Sequence, residues 1–299
     1  MAATSTAVIV CSRNRAGFLR DVVDSILRGH VVPDEIVIVD QSDARHEMLS
    51  SLGRVGGCAV RYIFDAHRGV SGARNLGLTL AGSTLVVFTD DDVVVDRSWL
   101  GAMVTALVEL GPTGVVTGKV LSAPEETAGG WAPALVAADE PATYTGRIGR
   151  DVLEAGNMAA YRDTLLSLGG FDRRLGPGTR FPAGEDNDMG LRLLAAGCQI
   201  RYEPRAVIYH RAWRGPEEYV PLRWRYGIGQ GAYYAKHLSL RDRYMLRRLG
   251  HLLARHAKFA LRRARKEPRA AAGHLAYIGG VLVGGVRWAL GRRSTAPPR

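Results

Sequence analysis

The sequence predicts an α/β fold, a mostly parallel sheet flanked by helices, with a basic helical appendage at its C-terminal end. Three observations predict it. Strand-like and helix-like stretches alternate from the first residues onward. Polar clusters stand where strand-like runs end, at Ser12–Arg15, Asp40–Asp43 and Asp90–Asp92. Charge is unevenly spread: residues 201–299 carry 22 Lys/Arg against 5 Asp/Glu, whereas residues 1–200 carry 18 against 24.

Taken in order, "AVIVCS" (Ala7–Ser12) is short, apolar and β-branched, so it predicts a buried strand. "GFLRDVVDSILRG" spaces its apolar residues by three and four, which predicts an amphipathic helix. "EIVIVD" (Glu35–Asp40) and "AVRYIF" (Ala59–Phe64) follow as strands, "SGARNLGLTLAG" as a helix and "TLVVFT" as a strand. Strands joined by helical crossovers run parallel, and such sheets hold ligands beyond the carboxyl ends of their strands. Residues 121–150, rich in Ala, Pro, Gly and Thr and carrying Trp131 and Tyr144, predict a loop or insertion. Between Gly156 and Gly197, Gly and Pro punctuate the middle and a helix is expected to start near Gly184. "QIRYEPRAVIYH" predicts two short strands ending at His210.

Leu246, Leu249, Leu253, Ala257 and Ala260 recur every three or four residues among Arg and Lys, which predicts a basic amphipathic helix. "AAAGHLAYIGGVLVGGV" then lacks Asp, Glu, Lys and Arg. It is shorter than the roughly 20 residues of a membrane span, so a packed or surface-lying helix is expected, with Gly280 and Gly284 as a GxxxG contact. The expected division is a domain over 1–237 and an appendage over 238–299. Cys11, Cys58 and Cys198 are too few and too scattered for a disulfide framework, and "MAATSTAVIVCSRNR" lacks the basic and apolar regions of a signal peptide. A cytoplasmic protein is expected, with the basic segment able to meet an anionic membrane surface at the inner face. No nucleic-acid motif accompanies the charge, so nucleic acid is not an expected partner.

Asp90, Asp91 and Asp92 sit between "LVVFT" and "VVV". Adjacent carboxylates next to apolar runs repel one another and are costly to desolvate, so a divalent cation or a set of helix N-termini should compensate; a solvated turn is the alternative.

The ordered set "VIVCSRNR", "EIVIVDQSD", "RGVSGARNLGLTLA", "FTDDDVVVD", "GNMAAYR", "GGFD" and "GEDNDMGLRLLAAG" resembles the family-2 glycosyltransferases over about residues 6–237. The resemblance implies a GT-A fold, a nucleoside-diphosphate sugar donor, a hydroxyl-bearing acceptor and Mn²⁺ or Mg²⁺. UDP is the expected nucleotide, with dTDP and GDP as alternatives. Ser12, Arg13 and Arg15 resemble the nucleotide-binding start, Asp40 the acid that contacts the base, and Arg74 and Asn75 the lining of the nucleotide pocket. Asp90–Asp92 resemble the DXD motif, with Asp92 as metal ligand and Asp90 and Asp91 on the donor. His210 matches a histidine that completes the metal shell in several relatives. Gly156 and Asn157 match the segment that borders the donor sugar. Glu185 and Asp186 resemble the ED motif, with Asp186 as the general base of an inverting transfer and Glu185 as its alternative or as an acceptor contact. "GIGQGA" lacks a preceding strand and resembles a helix start late in these domains rather than a nucleotide loop. The competing functions are a nucleotidyltransferase on a similar sheet and a non-catalytic basic module that binds membranes or nucleic acid.

Overall fold

A computed structural model describes residues 4–239 and 242–291. The chain divides into two units, residues 1–171 with 189–214 and residues 172–188 with 215–299.

In the first unit, β1 (Thr6–Ser12), α1 (Ala16–Leu27), β2 (Glu35–Asp40), α2 (Glu47–Ser50), β3 (Arg54–Val55), β4 (Cys58–Phe64), α3 (Val70–Leu80) and β5 (Leu85–Asp90) follow the expected alternation. They are succeeded by β6 (Val93–Val95), α4 (Trp99–Leu110), β7 (Gly114–Glu125), β8 (Ala142–Tyr144), β9 (Asn157–Tyr161), α5 (Arg162–Ser167), α6 (Glu185–Ala195) and β10 (Gln199–Ala212). The first four residues of α6 belong to the second unit. The strands form one sheet in the order β3-β4-β2-β1-β5-β9-β7-β10-β6, with β8 on β10. From β4 to β5 every pairing is parallel, as βα crossovers require. Beyond β5 the sheet is mixed, because β9 enters antiparallel between β5 and β7.

Alternation along each strand builds two cores. Val8, Val10, Ile36, Ile38 and Val87 pack with Leu19, Val22, Trp99 and Met103 from α1 and α4. Their neighbours Ala7, Ile9, Val37, Val39 and Phe88 pack with Ala73, Leu78, Met189 and Leu193 from α3 and α6. Both faces are covered, so the strands are apolar throughout.

The expectation of two strands over Gln199–His210 is corrected to a single one, β10, of 14 residues. Its register against β7 slips between Glu203 and Val207. Pro204 has no N–H for the ladder, and Glu203 accepts instead from Arg205 Nε at 2.8 Å, so the Glu-Pro-Arg segment forms a bulge rather than a break.

The second unit holds a 3₁₀ turn (Pro216–Glu218), α7 (Tyr219–His237), α8 (Tyr244–Arg263) and α9 (Pro268–Gly291). "GIGQGA" lies inside α7, not at a helix start. A Cβ on Gly227 or Gly231 would strike the backbone of α9 at Tyr277–Val281, and one on Gly280 or Gly284 would strike Trp224–Ile228 of α7. The two helices therefore approach through paired glycines, and the expected GxxxG contact forms. The buried stripe of α8 is Met245, Arg248, Leu252, His256 and Ala260, turned by one residue from the expected leucine stripe. Arg248 and His256 explain the turn. Arg248 donates to Tyr233 O–H at 3.1 Å, and His256 stacks on Tyr277 at 4.2 Å between ring centres.

Candidate active site

Parallel register brings the ends of β1, β2 and β5 level: Ser12 stands beside Asp40, and Cys11 beside Asp90. Three clusters distant in sequence thus meet at one sheet edge. Asp91 and Asp92 are both buried there. Asp91 accepts from Ser12 Oγ at 2.7 Å and from Arg15 Nη1 at 2.8 Å. The same Arg15 nitrogen reaches Asp92 Oδ2 at 3.1 Å. Trp213 Nε1 and Arg214 Nη2 donate to that oxygen at 3.1 and 3.3 Å. Arg15 and Arg214 also lie over the Trp213 ring, at 4.9 and 4.4 Å from its centre. Compensation for the adjacent carboxylates comes from two guanidinium groups and an indole, not from a solvated turn.

The two buried acids respond in opposite directions. Burial pushes Asp91 up to about 6; Arg15 and Ser12 pull it down while Asp92 pushes it further up. Burial alone would raise Asp92 too, but His210, Arg15 and Arg214 together hold it below the usual carboxylate range. Burial pushes the Cys11 thiol up to about 12, so it stays protonated beside Arg74 and Asp90.

His210 is the last β10 residue paired with β6. Its Nδ1 lies 3.1 Å from the Arg211 carbonyl, which can only accept, so Nδ1 is the donor of that contact. Nε2 lies 3.6 Å from Asp92 Oδ1. A carboxylate oxygen and an imidazole nitrogen at that separation fit one first-row divalent ion with bonds of about 2.1 Å. Among the described residues no group of three or more His, Cys, Asp and Glu could hold a metal ion. Arg214 Nη1 and Arg13 Nε are buried without a partner, so two guanidinium donors here are open to an acceptor. The residues fit a divalent cation accompanied by a polyanion.

Asp90 is paired with the buried Arg74 at 2.9 Å. A Cβ on Gly156 would overlap the Asp90 carboxylate, so this glycine is needed for the approach of that side chain. Asp40 accepts from Tyr62 O–H at 2.5 Å and from Ser42 N at 2.9 Å. Two residues expected on the ligand also hold the fold together. Asn75 grips the Phe171 backbone, donating to its carbonyl at 2.8 Å and accepting from its N–H at 2.7 Å. Asn157, fully buried, donates to the carbonyls of Lys119 and Ala206 at 2.9 and 3.1 Å and accepts from Trp99 Nε1 at 2.7 Å. Trp213, Arg214 and Tyr62 were not anticipated; the run "HRAWRG" after His210 was the available signal for the first two.

Glu185 and Asp186 open α6 in the second unit. Gly184, at φ 88°, makes the turn into the helix, and a Cβ there would meet the Gly229 carbonyl. Glu185 is buried and Asp186 half-buried. One turn on, the fully buried Asp188 pairs with Lys236 Nζ at 2.6 Å and His237 Nε2 at 2.7 Å. Lys236 also reaches Asp172 at 2.7 Å. Burial would raise Asp172, but hydrogen bonds from Arg174 and Lys236 hold it well below the usual carboxylate range.

Residues 7–164, just over half of the chain, match the family described as Glycosyl transferase family 2. A pre-mycofactocin glycosyltransferase of Mycobacterium tuberculosis is 29% identical over 216 residues, covering 68% of this chain and 42% of that protein. An uncharacterised glycosyltransferase of Nostoc sp. is 31% identical over 114 residues, 38% of this chain and 34% of its own. The chain thus spans about two fifths of the length, or less, of the curated relatives it matches. Among solved structures, the mannosyltransferase PcManGT from Pyrobaculum calidifontis in complex with GDP-Man and Mn²⁺ aligns with a TM-score of 0.62 at 18% identity, over 94% of this chain and 88% of that one. GalNAc-T7 with UDP, GalNAc and Mn²⁺ aligns with a TM-score of 0.57 at 15% identity, over 99% and 58%. At such identities the likeness concerns the fold, which is GT-A.

Proposed function

The chain belongs to glycosyl transferase family 2, and on that premise we propose that it moves a sugar, with inversion, from a nucleoside-diphosphate donor to an acceptor hydroxyl. The observation that carries this is the buried pair Asp91–Asp92 at the edge where β1, β2 and β5 end, ringed by Arg15, Arg214 and His210. A nucleoside diphosphate presents the polyanion that such donors accept, and solved proteins of this fold hold UDP or GDP-Man with Mn²⁺. UDP is the first nucleotide to test, then dTDP and GDP.

Asp92 Oδ1 and His210 Nε2 would hold Mn²⁺ or Mg²⁺. When bound, the cation neutralises charge that develops on the departing diphosphate. Arg15, Trp213 and Arg214 fix Asp92 through its other oxygen, leaving Oδ1 turned to His210. Arg13 and Arg214 offer donors to phosphate oxygens. Asp40, Arg74 and Asp90 contact the nucleoside, and Gly156 allows Asp90 its position. Asp186 takes the proton of the acceptor hydroxyl as its oxygen attacks the anomeric carbon. The bond to the diphosphate breaks on the opposite side, and the configuration inverts. Glu185 binds the acceptor or serves as the alternative base.

Release of nucleoside diphosphate from a panel of UDP-, dTDP- and GDP-sugars, with Mn²⁺ or with chelator, tests this. Turnover should require the cation and vanish in Asp92→Ala. Asp186→Asn should lower turnover about 10²–10⁴-fold while leaving donor affinity unchanged. Full turnover in Asp186→Asn would remove the base assignment. Release indifferent both to chelator and to Asp92→Ala would remove the role of the cation.

A further inference from the structure

Four aliphatic side chains of α9 remain open. Leu275, Leu282, Val286 and Leu290 are each 58–60% exposed. Their spacings of seven, four and four residues place them on one strip of the helix. The other side of α9 is already occupied: Gly280 and Gly284 lie against α7, and Tyr277 stacks on His256 of α8. The last turn of α8 carries Leu261, 81% exposed, with the exposed Arg262 and Arg263, and the exposed Arg265 and Lys266 follow the helix. Arg269 in the first turn of α9 is exposed as well, and so is Arg287 near its end. Residues 243–291 contain eleven Lys/Arg and one acid, Glu267, and the sequence continues with Arg292 and Arg293. An apolar strip thus follows a cluster of exposed cations and carries another, Arg287, within its last turn.

We propose that α9, with the end of α8, is a docking face for a bilayer that carries anionic headgroups. Leu275, Leu282, Val286 and Leu290 enter the acyl boundary, and Arg262–Arg269 lie among the headgroups. Charge selects this occupant. A second copy of the chain seated on the strip would set basic segments against basic segments, whereas an anionic bilayer receives the apolar strip and neutralises these cations. The helix lies in the plane of the surface, since no helix among the described residues is long and apolar enough to cross a membrane. The amphipathic face of α8 read from sequence is not the docking face. The buried stripe of α8 packs inward, and the side chains that enter the bilayer belong to α9.

Co-sedimentation of the full chain with phosphatidylcholine vesicles, with or without about one-third phosphatidylglycerol, tests the proposal and involves no sugar transfer. Binding is expected only to the anionic vesicles, and it should fall as salt rises from about 0.1 to 0.5 M. The pair Leu282→Glu with Val286→Glu should weaken it about tenfold or more. Both side chains are exposed, so helicity by circular dichroism should not change. Arg262→Gln with Arg263→Gln and Arg265→Gln, which leaves the strip intact, should weaken it too. No binding, equal binding to neutral vesicles, or unaltered binding in the double glutamate variant would overturn the proposal. So would a dimer of the native chain in light scattering that the double glutamate variant dissociates, since a second copy would then occupy the strip. A failed donor-release assay leaves this result standing, and a failed vesicle assay leaves sugar transfer standing.

Discussion

Asn157 ties three elements with one amide: the indole of Trp99 from α4, the Lys119 carbonyl of β7 and the Ala206 carbonyl at the bulge of β10. The bonding is crowded as well as complete, since a Cβ on Gly118 would overlap the same amide. Asn157→Ala removes one partner from three polar groups at a site closed to water, so it should destabilise the fold by about 2–4 kcal/mol in a denaturant titration. A loss below about 1 kcal/mol would show that relaxation or water re-satisfies them. Residues of this kind mark the limit of the sequence. Asp90–Asp92 and His210 are legible because few other reasons put acids and a histidine at the ends of apolar strands. An asparagine in a Gly-Asn-Met run looks the same whether it meets a ligand or two carbonyls. Trp213 and Arg214 were illegible for a related reason: only the fold shows that the chain after β10 returns to Asp92.

Elements were legible where one period dominates. β1, α1, β2, β4, α3 and β5 stand where apolar runs and three-to-four spacing put them. β9 was not foreseen, because its insertion between β5 and β7 is a long-range pairing that no local pattern encodes. The C-terminal helices hold the opposite lesson, since their glycines read as weakness and serve as contact. Gly284→Ala should destabilise the chain by about 1–3 kcal/mol, because the new methyl meets the Ile228 carbonyl. Gly285→Ala, whose methyl meets only the Gly231 carbonyl at an ordinary 3.6 Å, should be neutral or stabilise by up to about 1 kcal/mol through helix propensity. Equal effects from the two would contradict the packing of α7 on α9.

The α8–α9 contact carries its own response to acid. Burial pushes His256 down to about 3, and the nearby Arg223, His274 and Arg255 push the same way. His256 and His274 face each other Nδ1 to Nδ1 at 3.1 Å, an arrangement with room for one proton between them. A histidine whose folded value lies below its usual 6.5 favours the folded state above that pH, and the benefit is lost as pH falls from 6.5 toward 3. Between pH 7 and 5 the loss should approach about 2 kcal/mol. Thermal melts of the native chain and of His256→Phe across this range check it, and the variant should show the shallower slope. Parallel slopes would exclude His256 as the cause.

At the scale of the whole molecule, the two proposals assign separate tasks to the acidic and basic parts of the chain. The N-terminal two thirds gathers acids at one sheet edge, where Arg15, just beyond β1, and Arg214, just beyond β10, pair with them. Because Arg15, Trp213 and Arg214 all donate to Asp92, a metal ion should contribute little to folding and much to ligand binding. Chelator alone should therefore leave the melting temperature of the ligand-free chain unchanged. A nucleoside diphosphate at about 100 times its Kd should stabilise the unit that holds the sheet by about 2.7 kcal/mol. For a unit of this size that amounts to a shift of roughly 5–10 °C. The shift should require Mn²⁺ or Mg²⁺ and should disappear in Asp92→Ala, and the nucleotide that produces it identifies the donor. If chelator by itself lowered the melting temperature by several degrees, the cation would be a structural part of the sheet edge. The arginines would then be insufficient partners for its carboxylates. If a nucleotide shifted the melt equally with and without the cation, Arg13, Arg15 and Arg214 would be binding the diphosphate on their own.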